Sequence, residues 1–355
     1  MARRTTPIPP APPVPDPDPP RKRGRLGLYL PFAVAILAAI AWSIFWLYLH
    51  RETRLRLDAG AESLRDAGYQ VSGKERRITG YPFRLNVTLL DANIREPSGW
   101  ALTTPRLETQ AYVHGLGTWV LAAPDGFTFV RPIGGAVSVT GELLHASLSS
   151  LDKQPPSFSF EGKKLTFTPS PGAQPFALTT ADKVETHLRA GPDDQGAVLF
   201  RVDNGAARLS GLFARIAGDK PVSMIWDSTL SKMSAFKGDD WPSAVKAWSA
   251  AGGLMTVRQA GLTAGSAVVG SQSGSLGVGY DGLLSGSLAV TLREAPQALA
   301  AMAQTGVIAP EAALAAAAVA AARQGGNDVA QATVTFQAGR TTLGPVALGP
   351  APRVY

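Results

Sequence analysis

The chain has 355 residues, no cysteine and only four histidines. The absence of cysteine excludes thiol catalysis, thiolate metal sites and disulfide cross-links. His50, His114, His145 and His187 have no ligand partner at helical spacing, and no His-Glu-x-x-His motif occurs. We therefore expect neither a metal nor a cofactor, and a large domain that folds around an ordinary apolar core.

Charged side chains are also missing from Leu26–Leu49, which directly follows the basic run Arg21–Arg25. A helix of 24 residues is about 36 Å long at ~1.5 Å per residue, enough to cross a hydrocarbon core of roughly 30 Å. Bulky apolar residues continue after the small residues Ala38–Ala41. This favours an uncleaved signal anchor over a cleaved signal peptide, and the length argues against a buried core helix.

Basic residues are more concentrated before this span than after it. Residues 1–25 hold six basic and two acidic side chains, a net charge of +4, whereas the other 330 residues contribute +3 to the total of +7. The positive-inside rule then predicts a cytoplasmic tail and a periplasmic domain in the inner membrane of a bacterium. Because the basic excess belongs to the tail, we expect no nucleic-acid partner.

Three segments follow from these patterns. Residues 1–25 form a proline-rich, basic and disordered cytoplasmic tail, which is low-complexity sequence rather than an SH3-type ligand. Residues 26–49 form the transmembrane signal anchor, and residues 50–355 form a β-rich periplasmic domain. Residues 50–68 at the start of this domain read as a helix that ends at a Gly68 cap.

From Val71 onward the hydrophobic period changes from helical to two, which is typical of strands with one buried face. The alternating segments are Phe83–Leu89, Phe127–Val130, Ala136–Thr140, Ser157–Phe160, Leu165–Thr168, Val198–Val202, Leu288–Leu292 and Thr333–Phe336. Asp125-Gly126, Asn204-Gly205 and Asp281-Gly282 predict hairpin turns. We expect an α+β fold that is mainly antiparallel β, an extended curved sheet or sheets with a few packed helices, plus one N-terminal transmembrane helix.

Three short helices are predicted in the second half. Asp240–Ala251 has Pro242 near its start and two glycines after its end. Ala295–Gln304 and Pro310–Arg323 are rich in alanine, the residue with the best helix propensity. The last of these is too short and too weakly apolar to be a second membrane span.

Motifs with possible chemistry have simpler structural interpretations. Gly277–Gly282 spells G-x-G-x-x-G, but an alternating segment follows it where a dinucleotide fold requires a helix. Ser234–Lys237 spells S-x-x-K without the S-D-N and K-T-G partners of penicillin-binding enzymes. The carboxylate pairs Asp193-Asp194 and Asp239-Asp240 lie beside proline or glycine, as in solvated turns. We expect no catalytic residue.

Two stretches carry a family resemblance. One is Ile78–Leu85, with sequence ITGYPFRL, and the other combines Asp281–Leu288, alanine-rich helices and Gly339–Val346. The chain resembles the bacterial family called domain of unknown function 2125 over most of residues 50–355, and its end is similar, more weakly, to AsmA-like envelope proteins. The resemblance implies a single-span envelope protein and supplies no catalytic residues.

Two functional hypotheses remain, with a hydrolase as a third and weaker one. In the first, the apolar face of a curved sheet forms a groove for lipid or another apolar molecule, with membrane lipid as partner. The candidate lining residues are Phe83, Leu85, Val87, Leu89, Phe127, Phe129, Phe158, Phe160, Leu165 and Phe167. In the second, the domain is a scaffold that binds an envelope protein and no ligand. An alternating face most often packs into a closed core, so each lining residue also fits a core position.

Overall fold

The computed structural model describes residues 26–151, 153, 155–208, 220–264, 267–293, 311, 314 and 329–355. It contains two compact units, Met1–Tyr48 and Leu49–Tyr355. The predicted tail and the predicted helix Ala295–Gln304 lie outside the described residues. Of the predicted helix Pro310–Arg323, only Glu311 and Leu314 are described, and both are helical.

Helix α1 runs over Leu26–Asp66. Its length and composition make it a candidate membrane span near the N-terminus, and the predicted apolar helix is confirmed. The helix ends through Gly68, which has a φ of 87°. The Tyr69 N–H donates to the Leu64 carbonyl, and the Gly68 N–H donates to the Arg65 carbonyl, both at 2.9 Å. These two bonds form a Schellman cap, as the glycine predicted.

The rest of the described chain is dominated by one antiparallel sheet of 18 strands, which confirms the predicted fold class. The strands are β1 (Gln70–Ser72), β2 (Glu75–Thr79), β3 (Arg84–Arg95), β4 (Ala101–Tyr112), β5 (Thr118–Ala122), β6 (Phe127–Arg131), β7 (Gly135–Thr140), β8 (Leu143–Ser149), β9 (Ser157–Pro169), β10 (Leu178–Ala190), β11 (Gly196–Ala207), β12 (Val222–Leu230), β13 (Met255–Ala264), β14 (Ala267–Val278), β15 (Leu284–Arg293), β16 (Val329–Gln337), β17 (Arg340–Leu343) and β18 (Val346–Pro350).

The strands pair in a meander that follows the order of the chain. Strands β1 and β2 lie end to end along one edge of β3, and β4 lies along the other edge. The short strands β5 and β6 pair with β4, and β8 and β7 continue from them to β9. From β9 to β18 each strand pairs with the next one in sequence. All of these pairings are antiparallel, which short connections permit.

One predicted hairpin turn is wrong. Asn204-Gly205 lies inside β11, where Asn204 has a φ of 48° and the pairing with β12 shifts register between Val202 and Gly205. A β-bulge needs the same left-handed backbone as a tight turn, so the dipeptide cannot distinguish the two. Asp125-Gly126 and Asp281-Gly282 do lie in turns between strands. The two predicted segments Ser157–Phe160 and Leu165–Thr168 belong to one strand, β9.

Helix α2 spans Trp241–Ala250 and confirms the helix predicted at Asp240–Ala251. Asp240 is its N-cap, and the Asp240 carboxylate accepts a hydrogen bond from the Ser243 N–H at 2.8 Å. The Ser243 hydroxyl donates to the Asp240 carboxylate, and the Ser243 Oγ accepts a hydrogen bond from the Asp240 N–H at 3.2 Å, which completes a capping box. These hydrogen bonds, first from the Ser243 side chain and then from its backbone, lower the pKa of Asp240.

A hydrogen bond joins the end of β3 to the helix that follows β12. The successive strand pairings connect the Arg95 end of β3 to the Val222 end of β12. These two strand ends would therefore lie at the same edge of a flat sheet. Instead, Glu96 reaches α2, which packs at the opposite, Leu230 end of β12. Seven or eight pairings with a twist of roughly 20–25° each accumulate about 140–200°. A twist of this size is sufficient to bring the end of β3 next to α2.

Candidate functional site

One face of the sheet, the apolar face, carries a row of side chains that crosses thirteen strands without interruption. Each member is directly opposite the next across a strand pair. The row reads Ile78, Val87, Thr109, Leu121, Ala146, Phe160, Thr186, Phe200, Trp226, Ala260, Ser271, Val290 and Ala332. Directly opposed residues point to the same side of a sheet, so this row is one continuous surface. At ~4.8 Å per strand it extends about 58 Å.

A second row runs beside the first and is also mainly apolar. It reads Trp119, Leu148, Phe158, Leu188, Val198, Ser228, Val257, Gly274, Leu288, Val334 and Leu343. Ser228 is fully buried here, and its hydroxyl accepts a hydrogen bond from the Trp226 indole N–H at 3.1 Å. The polar atoms of Ser228 and Trp226 therefore satisfy each other and leave the surface apolar in character.

The opposite face is polar and carries ion pairs. Glu161 and Glu185 lie directly opposite each other on β9 and β10, which is unfavourable for like charges. Lys183 bridges them, with its Nζ 2.6 Å from Glu185 and 3.6 Å from Glu161. The hydrogen bond to Glu185 raises the pKa of Lys183. Arg258 pairs with Asp227 at 2.5 Å further along the sheet. This face is suited to water.

Aromatic rings fill the apolar face over β6–β11. The Phe127 and Phe160 rings meet edge to face with centroids 6.2 Å apart, although their strands are not hydrogen-bonded to each other. Phe176, from the β9–β10 connection, lies against Phe129 and Phe167, with both centroid distances 5.3 Å. Edge-to-face and tilted geometries at these distances are favourable. This part of the face therefore packs largely against itself.

Smaller side chains line the same face over β13–β16. Ala260, Ser271, Val290 and Ala332 are consecutive members of the first row. Val290 and Ser271 are buried, whereas Ala260 and Ala332 are half-buried. Small residues leave more space above a sheet than the phenylalanine rings of the first half do. The lining thus changes along the sheet from bulky to small.

Helix α2 covers one end of the apolar face. Trp248 is buried with Leu230 and Met233, and Leu188 and Val198 pack against this cluster. The Trp248 indole N–H donates to the Ser231 carbonyl at 2.6 Å. The helix therefore closes the strand ends of β10–β14 with apolar contacts.

The structure places the ten predicted lining residues in three different settings. Leu85, Val87 and Leu165 are fully buried core residues, with exposed fractions of 0–2%. Leu89, Phe127, Phe129, Phe158, Phe160 and Phe167 are half-buried on strands. Phe83 precedes β3, and 65% of its side chain is exposed.

The apolar-face residues of β11–β13 were not among the predicted lining residues. Phe200 and Trp226 are directly opposite each other, and Trp226 is directly opposite Ala260. Val198–Val202 was predicted as a strand, so its alternation already pointed to Phe200. Trp226 lies in Met224–Trp226, a run of apolar residues without clear alternation, because Ile225 faces the polar side.

The other sequence motifs have structural settings. Gly277–Gly282 ends β14 and turns into β15, so a strand follows it, as predicted. Asp194 accepts hydrogen bonds from the Ser234 N–H at 2.6 Å and from the Ser234 hydroxyl at 2.9 Å, which ties two loops together. Within the described ranges, no group of three or more histidine, aspartate or glutamate residues is placed to hold a metal ion.

The model of one protein family matches residues 46–352 of the chain, and the family is described as an uncharacterized protein conserved in bacteria (DUF2125). This match covers well over half of the chain, and the chain belongs to this family. Comparison with curated proteins and comparison with solved structures each found no match. The resemblance to AsmA-like proteins is not shown by these comparisons.

Proposed function

We propose that this DUF2125 protein is anchored in the bacterial inner membrane by α1 and binds lipid acyl chains on the apolar face of its periplasmic sheet. The observation that carries the proposal is the continuous, mainly apolar row of side chains across thirteen strands, from Ile78 to Ala332. An ordinary core needs a second layer to cover such a face. A curled sheet can instead wrap its apolar face around a chain-like ligand.

The energetics of lipid transfer support such a surface. Exposing an acyl chain to water costs about 0.8 kcal/mol per methylene group. A trough, meaning a groove formed by the apolar face of the sheet, that is as apolar as the bilayer removes that cost for the part of the acyl chain that it covers. The side chains at Ala260 and Ala332 are small and half-buried over β13–β16, whereas the rings of Phe127 and Phe160 fill the other half. We therefore place the ligand over β13–β16.

The proposed membrane location and orientation are supported by the charge distribution of the chain and by its family. The basic residues before the span orient the chain with its tail in the cytoplasm, and the family is bacterial. These two points support a periplasmic location for residues 50–355. The lipid-binding role requires no catalytic group.

Lipid retention by the full chain tests the proposal. We would extract the protein in a mild detergent, exchange it into lipid-free detergent, and identify retained phospholipid by native mass spectrometry. Titration with N-phenylnaphthylamine, an apolar dye that fluoresces when bound, provides a second reading. We expect retained phospholipid, and dye binding once the lipid is removed. Protein that retains no lipid and binds no dye would reject the groove and leave the scaffold hypothesis.

A further inference from the structure

Three exposed aromatic side chains gather at one end of the β3–β4 hairpin. Tyr81 and Phe83 precede β3 and are 56% and 65% exposed, and Tyr112 at the end of β4 is 46% exposed. The Val113 N–H donates to the Phe83 carbonyl at 3.1 Å, which holds the two segments together. Several large aromatic groups exposed together mark an interaction surface.

A basic side chain lies beside these rings. The Arg84 guanidinium lies 5.2 Å from the centroid of the Tyr112 ring, and the His114 ring centroid is 5.3 Å from it. Segments 80–84 and 112–118 contain no aspartate or glutamate. Aromatic rings beside a cation complement the phosphate and glycerol region of a bilayer.

The second part of α1 runs alongside β1 and β2 in the opposite direction. The Arg65 guanidinium donates to the Val71 carbonyl at 3.2 Å. Further along, Arg76 pairs with Asp58 at 2.7 Å. From one contact to the next, the residue number decreases along the helix and increases along the strands. Strands β1 and β2 therefore run antiparallel to the second part of α1.

The lengths of these two paths locate the aromatic end. The helix segment from 49 to 66 rises about 26 Å, and the strands from 70 to 79 return about 30 Å. The turn that carries Tyr81 and Phe83 therefore lies level with Leu49. The uncharged stretch of the chain ends at Leu49, which is where a membrane span would reach the headgroups.

We infer that the aromatic patch, defined as Tyr81, Phe83, Arg84 and Tyr112, inserts into the headgroup layer of the bilayer that holds α1. The opposite end of the hairpin lies about 37 Å away along β3. This inference rests on the membrane anchor within the proposed function and does not depend on a ligand in the trough.

Site-specific fluorescence tests the inference on the full chain. Because the protein has no cysteine, a single Phe83→Cys substitution can be labelled with an environment-sensitive nitrobenzoxadiazole dye. Trp100→Cys is the matched control, since Trp100 is an aromatic residue, 44% exposed, at the opposite end of the same hairpin. Both proteins are placed in phosphatidylethanolamine–phosphatidylglycerol vesicles, a fraction of whose lipids carry a nitroxide near the headgroup. We expect quenching at position 83 to be at least about threefold stronger than at position 100.

Tyr81→Cys provides a second reporter in case Phe83→Cys disturbs the fold, and circular dichroism checks each variant. Quenching at 81 or 83 no stronger than at 100 would overturn the inference. Strong quenching at all three positions would also overturn it, because the domain would then lie flat on the membrane. In either case lipid retention by native mass spectrometry still tests the trough separately, so the two failures are distinguishable.

Discussion

The Glu96 carboxylate accepts a hydrogen bond from the backbone N–H of Trp241 at 2.8 Å, although 145 positions separate the two residues. Trp241 is the first residue of α2, and its N–H has no acceptor within the helix. An anion at a helix N-terminus is also stabilised by the helix dipole. The other Glu96 oxygen accepts from the Ser98 hydroxyl. The Glu96–Trp241 hydrogen bond therefore links the end of β3 to α2, which packs at the strand ends of β10–β14.

Removing this carboxylate should loosen the domain. We expect Glu96→Ala to lower the free energy of unfolding by about 1–2 kcal/mol, the usual cost of losing a helix-terminal partner. Urea denaturation of the full chain in detergent micelles, followed by tryptophan fluorescence, measures the change. Glu75→Ala is the control, because Glu75 pairs with Arg77 on the exposed surface of β2, where such pairs contribute little. Equal effects of the two substitutions on the free energy of unfolding would show that the Glu96–Trp241 hydrogen bond does not stabilise the domain.

The cap at Asp240 should make α2 sensitive to acid. Hydrogen bonds from the Ser243 side chain and backbone lower the pKa of Asp240. The stabilisation from the ionised cap is therefore complete above the unfolded pKa of aspartate, about 3.9, and is lost as the pH falls through the folded value. We expect Asp240→Ala to reduce the urea midpoint at about pH 7 and to reduce it less at about pH 3. A gap between the two proteins that is the same at both pH values would contradict the ionised cap.

Adding bulk on the two faces of the sheet should have opposite consequences. Ala332 is half-buried on the apolar face, and Ala289 is exposed on the other face of the neighbouring strand. In an open trough, Ala332→Phe should displace bound lipid and leave stability nearly unchanged, whereas Ala289→Phe should affect neither. In a closed core, Ala332→Phe would instead destabilise the domain by about 1–3 kcal/mol through overpacking. Native mass spectrometry and urea denaturation of both variants separate the two cases.

A reporter enzyme fused to the chain can show on which side of the membrane residues 50–355 lie. We expect alkaline phosphatase fused behind Tyr355 to be active in bacterial cells, because that enzyme folds only in the periplasm, and a fused cytosolic reporter to be inactive. Replacing the basic residues of Arg21–Arg25 with neutral ones should reduce the phosphatase signal, since these residues set the orientation. A cytosolic reporter that is the active one would reverse the predicted topology.

Local sequence patterns predicted the elements well where a single physical rule was enough. The period of two located strands such as β6 and β7, and the cap and proline at Asp240–Pro242 located α2. The Asn204-Gly205 dipeptide failed because a bulge and a turn require the same backbone angles. Local sequence has no means of separating two structures with the same local conformation.

The candidate site was harder to predict, because its members are joined only by pairing register. Leu85 and Phe83 stand two positions apart in one alternating segment, yet Leu85 is buried and Phe83 is 65% exposed, because the strand begins between them at Arg84. Trp226 joins the apolar row through its partners Phe200 and Ala260 on two other strands. Such relationships depend on the whole order of the sheet and are not visible in any one segment.

Photocrosslinking from the apolar face tests most directly whether that face binds lipid. The photoreactive residue p-benzoylphenylalanine would be placed in living cells at Ala260, on the apolar face of β13, or at the adjacent Gln259, which points to the polar face. Equivalent placements at Phe200 and Leu199 on β11 would probe the aromatic half of the sheet, where we expect adducts to the protein itself. We expect lipid adducts, identified by mass spectrometry of the purified full chain, at Ala260 and not at Gln259. Adducts only to the protein itself at Ala260 would show a closed core and contradict lipid binding.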